Sequence, residues 1–139
     1  DTLLWLLATG HYLVSPQEEH SLSRFEAENI LLDAEGHIKL IDFGVSKCNV
    51  SKEVVCTSFC GSPPYMPPEI IKKVGHSFPV DFYCLGALMY ELACGYPPFD
   101  AENEEQIFHA ILHNEVEYPE FIGKTFKSLL KGLLNKDPK

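Results

Sequence analysis

The stretch Val80-Asp81-Phe82-Tyr83-Cys84-Leu85-Gly86-Ala87-Leu88-Met89-Tyr90-Glu91-Leu92-Ala93 decides the fold. Its large apolar members, Phe82, Tyr83, Leu85, Leu88, Met89, Tyr90 and Leu92, run nearly all the way round a helix. A helix of that kind belongs in the middle of a domain. Gly95-Tyr96-Pro97-Pro98-Phe99 stops it. Towards the C-terminus, Ile107, Phe108, Ile111 and Leu112 form one amphipathic stripe. Phe126, Leu129, Leu130, Leu133 and Leu134 form a second at i, i+3, i+4, i+7, i+8, ended by Asn135-Lys136-Asp137-Pro138. Towards the N-terminus, Ile30-Leu31-Leu32 is a short buried-strand candidate and Asp33-Ala34-Glu35-Gly36 a turn. Ile38 and Leu40 then alternate with His37 and Lys39, which predicts a second strand and a small hairpin, closed on its far side by Asp42-Phe43-Gly44. Residues 45–65 have little period and read as one long loop, of the kind that is usually functional or disordered. Residues 3–7 suit a short helix, broken by Gly10 and Pro16, and Gln17-Glu18-Glu19 looks solvated. The class predicted is mainly α (α+β overall), with one small β-hairpin.

The chain has 139 residues, 45% of them apolar and 22% charged, which is ordinary globular composition and room for one core. A net charge of −9 repels phosphate backbones and argues against a nucleic-acid partner. It attracts basic peptides or metal ions. No run of about 18 apolar residues exists, so no membrane span is expected. Asp1 to Leu7 is apolar but has no basic leader, and reads as a helix cut from a longer chain. Cys48, Cys56, Cys60, Cys84 and Cys94 form no CxxC pair, and their odd count with no signal peptide expected favours reduced thiols in a cytoplasmic setting. A zinc site from Cys56, Cys60 and His76 is disfavoured because zinc ligands usually come in tighter pairs. His109 and His113, spaced i, i+4 without a partner carboxylate, read as an exposed helix face.

Four motifs fall in one order. They are Glu28-Asn29-Ile30-Leu31-Leu32-Asp33, then Asp42-Phe43-Gly44 with its Asp 13 positions after Asn29, then Phe59-Cys60-Gly61-Ser62-Pro63-Pro64-Tyr65-Met66-Pro67-Pro68-Glu69, then Val80-Asp81-Phe82-Tyr83-Cys84-Leu85-Gly86. Any one is weak; four with this spacing are specific. From about residue 28 to residue 139 the chain resembles the C-terminal lobe of a eukaryotic serine/threonine protein kinase. Its Phe-Cys-Gly-Ser-Pro loop and Gly-Tyr-Pro-Pro-Phe run are similar to the AGC group, which includes the cAMP-dependent and C-type kinases.

That resemblance implies a division into residues 1–27, a remnant of the hinge-side helix region, and residues 28–139, a partial kinase domain with the N-terminal lobe absent. It implies ATP and Mg2+ as cofactors, with Asn29 and Asp42 as the metal ligands and Leu31 on the adenine floor. A hairpin that brings an Asn and an Asp together offers two hard oxygens, which suits Mg2+ shared with phosphates. The loop from Gly44 to Pro67 corresponds to the activation segment, with Ser58, beside Thr57, at the position of the phosphosite. Ser62 matches a hydroxyl that touches substrate. Glu28 and Glu91 match acids that receive arginine from basic peptide substrates. Gly44, Glu69 and Asp81 match structural positions. Asp81, on so apolar a helix, needs a donor nearby, and Glu69 matches an acid whose arginine partner lies just past Lys139. The implied partners are protein substrates with basic residues near Ser or Thr, and an upstream activating kinase.

The chain also departs from the pattern. Arg24 stands at the position of the catalytic Asp and Glu26 at that of the phosphate-contacting Lys. The first swap removes a group that orients the accepting hydroxyl, and the second adds repulsion beside phosphates. Pro64 replaces a Glu, and Pro67 an Ala. In a second alignment Asp1–Leu7 resembles the helix after the hinge and Ser23-Arg24-Phe25 the opening of the lobe's long central helix. The central helix and catalytic loop are then missing as a block. Either alignment leaves no catalytic Asp and predicts a chain inactive alone. The missing helix also predicts exposed apolar side chains around Leu85, at about 1.5–3 kcal/mol each. The alternative function is a non-catalytic pseudokinase or truncated isoform that binds proteins through the helical face after Gly95.

Overall fold

The computed structural model describes residues 20–21, 29–40, 47–48, 62–74 and 79–137. Four short strands come first: β1 (His20–Ser21), β2 (Ile30–Leu32), β3 (Ile38–Leu40) and β4 (Lys47–Cys48). A 3-10 turn over Pro63–Tyr65 follows, and then α1 (Pro68–Ile71), α2 (Pro79–Cys94), α3 (Glu104–His113) and α4 (Lys124–Leu133).

β2 and β3 pair antiparallel, Ile30 with Leu40, Leu31 with Lys39 and Leu32 with Ile38. Their connection is set by its own chemistry. The Asp33 carboxylate accepts from the amides of Glu35 at 3.0 Å and His37 at 2.9 Å, and Gly36 takes φ +85°, a conformation that costs glycine little. β1 pairs antiparallel with β4, His20 with Cys48 and Ser21 with Lys47. Sequence pattern gives no sign of that ladder, and β4 and the 3-10 turn both lie inside the stretch that reads as one loop. Two-residue strands carry no period to read.

α2 is the axis of the molecule. One side packs Cys84, Leu85, Leu88 and Met89 against Leu130 and Ile122, with Phe126, Leu129 and Leu133 of α4 and Ile30 of the hairpin at the rim. The other packs Tyr83 and Ala87 against Phe99, Leu134, and Ile107 and Ile111 of α3. Met66, Ile70 and Val80 form a third cluster, with Phe108 at its edge. Both amphipathic stripes therefore face the core, and each fully buried aliphatic chain contributes about 1.5–3 kcal/mol. Gly86 permits the close crossing of α2 and α4, since a Cβ there would sit 2.8 Å from Leu133 Cβ.

Three burial expectations are corrected. Leu85 and Leu88 are buried, because α4, the segment around Ile122 and Ile30 cover the face expected to be bare. The burial of α2 is not circumferential: Phe82 is 60% exposed and Leu92 52%, one near each end of the helix. In the strand expected to be buried, Leu31 is 51% exposed and Leu32 69%. A two-stranded ladder has two faces, and among the side chains described in it Ile30 is the one packed against the core.

α2 ends as its sequence dictates, with the Gly95 amide bonding the Glu91 carbonyl at 2.7 Å and Gly95 at φ +83°. α3 begins at Asn103, whose side-chain oxygen accepts from the Gln106 amide at 3.0 Å. Glu104 and Glu105 lie in its first turn, the sign the helix dipole favours there, and His113 lies in its last. His109 and His113 are exposed, as expected. Cys84 is buried and Cys94 half-buried, and neither forms a disulfide; Cys56, Cys60 and His76 lie outside the described residues. Among the described residues no helix is long and apolar enough to cross a membrane.

Candidate functional site

Ser62-Pro63-Pro64-Tyr65 supplies the centre of the site. Two successive prolines preset φ near the value a tight turn needs. The turn closes through the Tyr65 amide to the Ser62 carbonyl at 3.1 Å and the Met66 amide to the Pro63 carbonyl at 3.2 Å. Ser62 is half-buried at its start, in extended conformation.

The turn directs Tyr65 onto α2, where its ring packs at the edge of both main clusters. Its hydroxyl donates to the Glu91 carboxylate. The Cys84 thiol donates to its carbonyl at 3.3 Å. These two bonds join the loop to α2 at points seven residues apart, roughly 10 Å along a helix. Glu91 is half-buried in the last turns of α2. Asp81 is half-buried in the first turn, where the amino end of the dipole favours an acid. Ten residues, roughly 15 Å of helix, separate the two acids.

Glu69 sits in the short helix α1 behind Pro68 and is only 6% exposed. Burial pushes its carboxyl above the ordinary range, opposed by a bond from its own backbone amide and by the nearby Lys72. Among the described residues no cation lies within ion-pair distance of it. The buried Tyr83 hydroxyl has no hydrogen-bond partner among the described residues. Burial raises its pKa first, and Cys84 and Glu69 raise it further.

Asn29 is buried immediately before β2, and Leu31 lies two residues on, largely exposed. A carboxamide oxygen is a hard donor of the kind Mg2+ takes, so the one described member of the expected ligand pair has suitable chemistry. Glu28, Asp42, Gly44, Ser58, Arg24 and Glu26 lie outside the described residues. Among the described residues no group of three or more His, Cys, Asp or Glu side chains is placed to hold a metal ion.

The structure thus links the Ser62 loop to Glu91, and sets Asp81 at the far end of the same helix. Sequence reasoning missed Tyr65, the residue that makes this link. The signal was a hydroxyl-bearing aromatic directly after two prolines. It also missed α1, although Pro68 at the first helical position and Glu69 behind it are helix-start signals.

Residues 26–139 match the family profile of the protein kinase domain. The chain belongs to that family. It is 48% identical over 111 residues to the protein kinase C epsilon type of Oryctolagus cuniculus, covering 80% of this chain and 15% of that protein. It is 47% identical over 111 residues to a protein kinase C of Drosophila melanogaster, with the same coverage. It is also 45% identical over 112 residues to the RAC-beta serine/threonine-protein kinase of Rattus norvegicus, covering 81% of this chain and 23% of that protein. The chain is therefore an AGC-type serine/threonine kinase segment, spanning about one seventh of the length of the C-type relatives.

Proposed function

We propose that this chain is the peptide-recognition and activation half of a serine/threonine protein kinase catalytic domain, occupying residues 28–139. The reaction of the intact domain is transfer of the ATP γ-phosphoryl to a protein Ser or Thr. The observation that carries this reading is the Tyr65–Glu91 bond, which holds a carboxylate against the Ser62 loop. A half-buried carboxylate fixed on one side by a hydroxyl keeps acceptor positions for a guanidinium on the other. That arrangement suits substrates with arginine near the accepting hydroxyl, with Glu28 as a second acceptor and Ser62 on the substrate backbone side.

Asn29 and Asp42 are the residues that would hold Mg2+, and Leu31 would floor the adenine. The ion, when bound with ATP, neutralises charge as the phosphoryl leaves. Ser58 is the proposed phosphosite of the activation segment, set by an upstream kinase. Gly44, Glu69 and Asp81 support the loops around the site, and the setting is cytoplasmic.

With Arg24 where a carboxylate must orient the accepting hydroxyl, the chain by itself binds peptide without phosphorylating it. That departure favours a second reading, a pseudokinase or truncated isoform acting as a protein-binding module. The test is incubation of the chain with radiolabelled MgATP and an arginine-rich peptide, alongside calorimetric peptide binding. The expected result is binding without label transfer. Transfer at a rate above the peptide-free control overturns the inactivity; absence of binding overturns the recognition role.

A further inference from the structure

We draw no further inference here: the strongest candidate, the acidic outer face of α3 and its flanking loops, which carries Asp100, Glu102, Glu104, Glu105, Glu115 and Glu117 in a stretch without lysine or arginine, is a cluster of exposed carboxylates for which nothing among the described residues points to a ligand.

Discussion

The Tyr65 hydroxyl donates to the Glu91 carboxylate across 26 residues of sequence, and with the Cys84 thiol on the Tyr65 carbonyl it ties the loop that carries Ser62 to the helix that carries the core. A hydrogen bond to a charged group contributes about 1.5–3 kcal/mol. Tyr65→Phe keeps the ring in both clusters and removes only the donor. It is expected to lower stability by about 1–2 kcal/mol, read as a lower urea midpoint with an unchanged slope. Glu91→Gln retains an acceptor for Tyr65 but loses the charge, so it is expected to leave the midpoint nearly unchanged while weakening arginine-peptide binding. Equal affinity of Glu91→Gln and the unaltered chain for that peptide would remove Glu91 from the recognition role.

Glu69 predicts an unusual pH profile. Its carboxyl titrates above the ordinary 4.5 in the folded chain because burial disfavours the charged form. Below 4.5 the group is protonated both folded and unfolded, and its burial costs little. As pH rises through the folded value, the folded chain must ionise a buried acid, and stability is lost. Glu69→Gln removes that dependence and still accepts from the backbone amide of position 69. The expected outcome is a higher thermal midpoint for Glu69→Gln at about pH 7 and convergence of the two proteins near about pH 4. A midpoint of the unaltered chain that rises steadily relative to Glu69→Gln over that interval contradicts it.

Lys136 ties three elements together. Its ammonium donates to the carbonyl of Asn114, the residue that caps the end of α3, and lies 5.3 Å from the centre of the Phe99 ring. Partial burial holds its pKa below the ordinary lysine value, with Glu115 opposing that shift. Lys136→Met keeps the apolar stem and loses both contacts, at about 1 kcal/mol together. Hydrogen exchange is the sharper readout: amides 111–114 are expected to exchange faster while those in the middle of α2 do not.

Where the sequence was legible, the information was local. The β2–β3 hairpin has the limits that alternation and the Asp33–Gly36 turn predict, because that turn is closed by its own aspartate and glycine. α2, α3 and α4 follow from period and stop signals, and their stripes face the core. What failed was non-local. Whether Leu31 and Leu32 are covered depends on what lies over a two-stranded ladder, and alternation says nothing about that. The β1–β4 ladder joins two distant segments through two residues each. Resemblance singles out Ser62 and Glu91 as candidates, but not the tyrosine that bonds Glu91, because no spacing rule ties position 65 to position 91. Asp42, the second expected metal ligand, lies outside the described residues.

Gly86 gives the most direct test of the packing. A Cβ at this position would meet Leu133 Cβ at 2.8 Å and two Leu134 side-chain carbons at 3.1 and 3.2 Å. Leu133 Cβ is anchored to its backbone, so it yields only if α4 shifts. Gly86→Ala must therefore separate the two helices that share the largest core cluster, and overpacking of that kind costs about 1–3 kcal/mol. Gly132 is the matched control, since it lies in α4 and a Cβ added there would meet nothing within 4 Å. Gly132→Ala improves helix propensity and is expected to stabilise by about 0.5–1 kcal/mol. Opposite signs in one denaturant series are the expected result. Stabilisation by both substitutions would mean that α2 and α4 do not cross at Gly86.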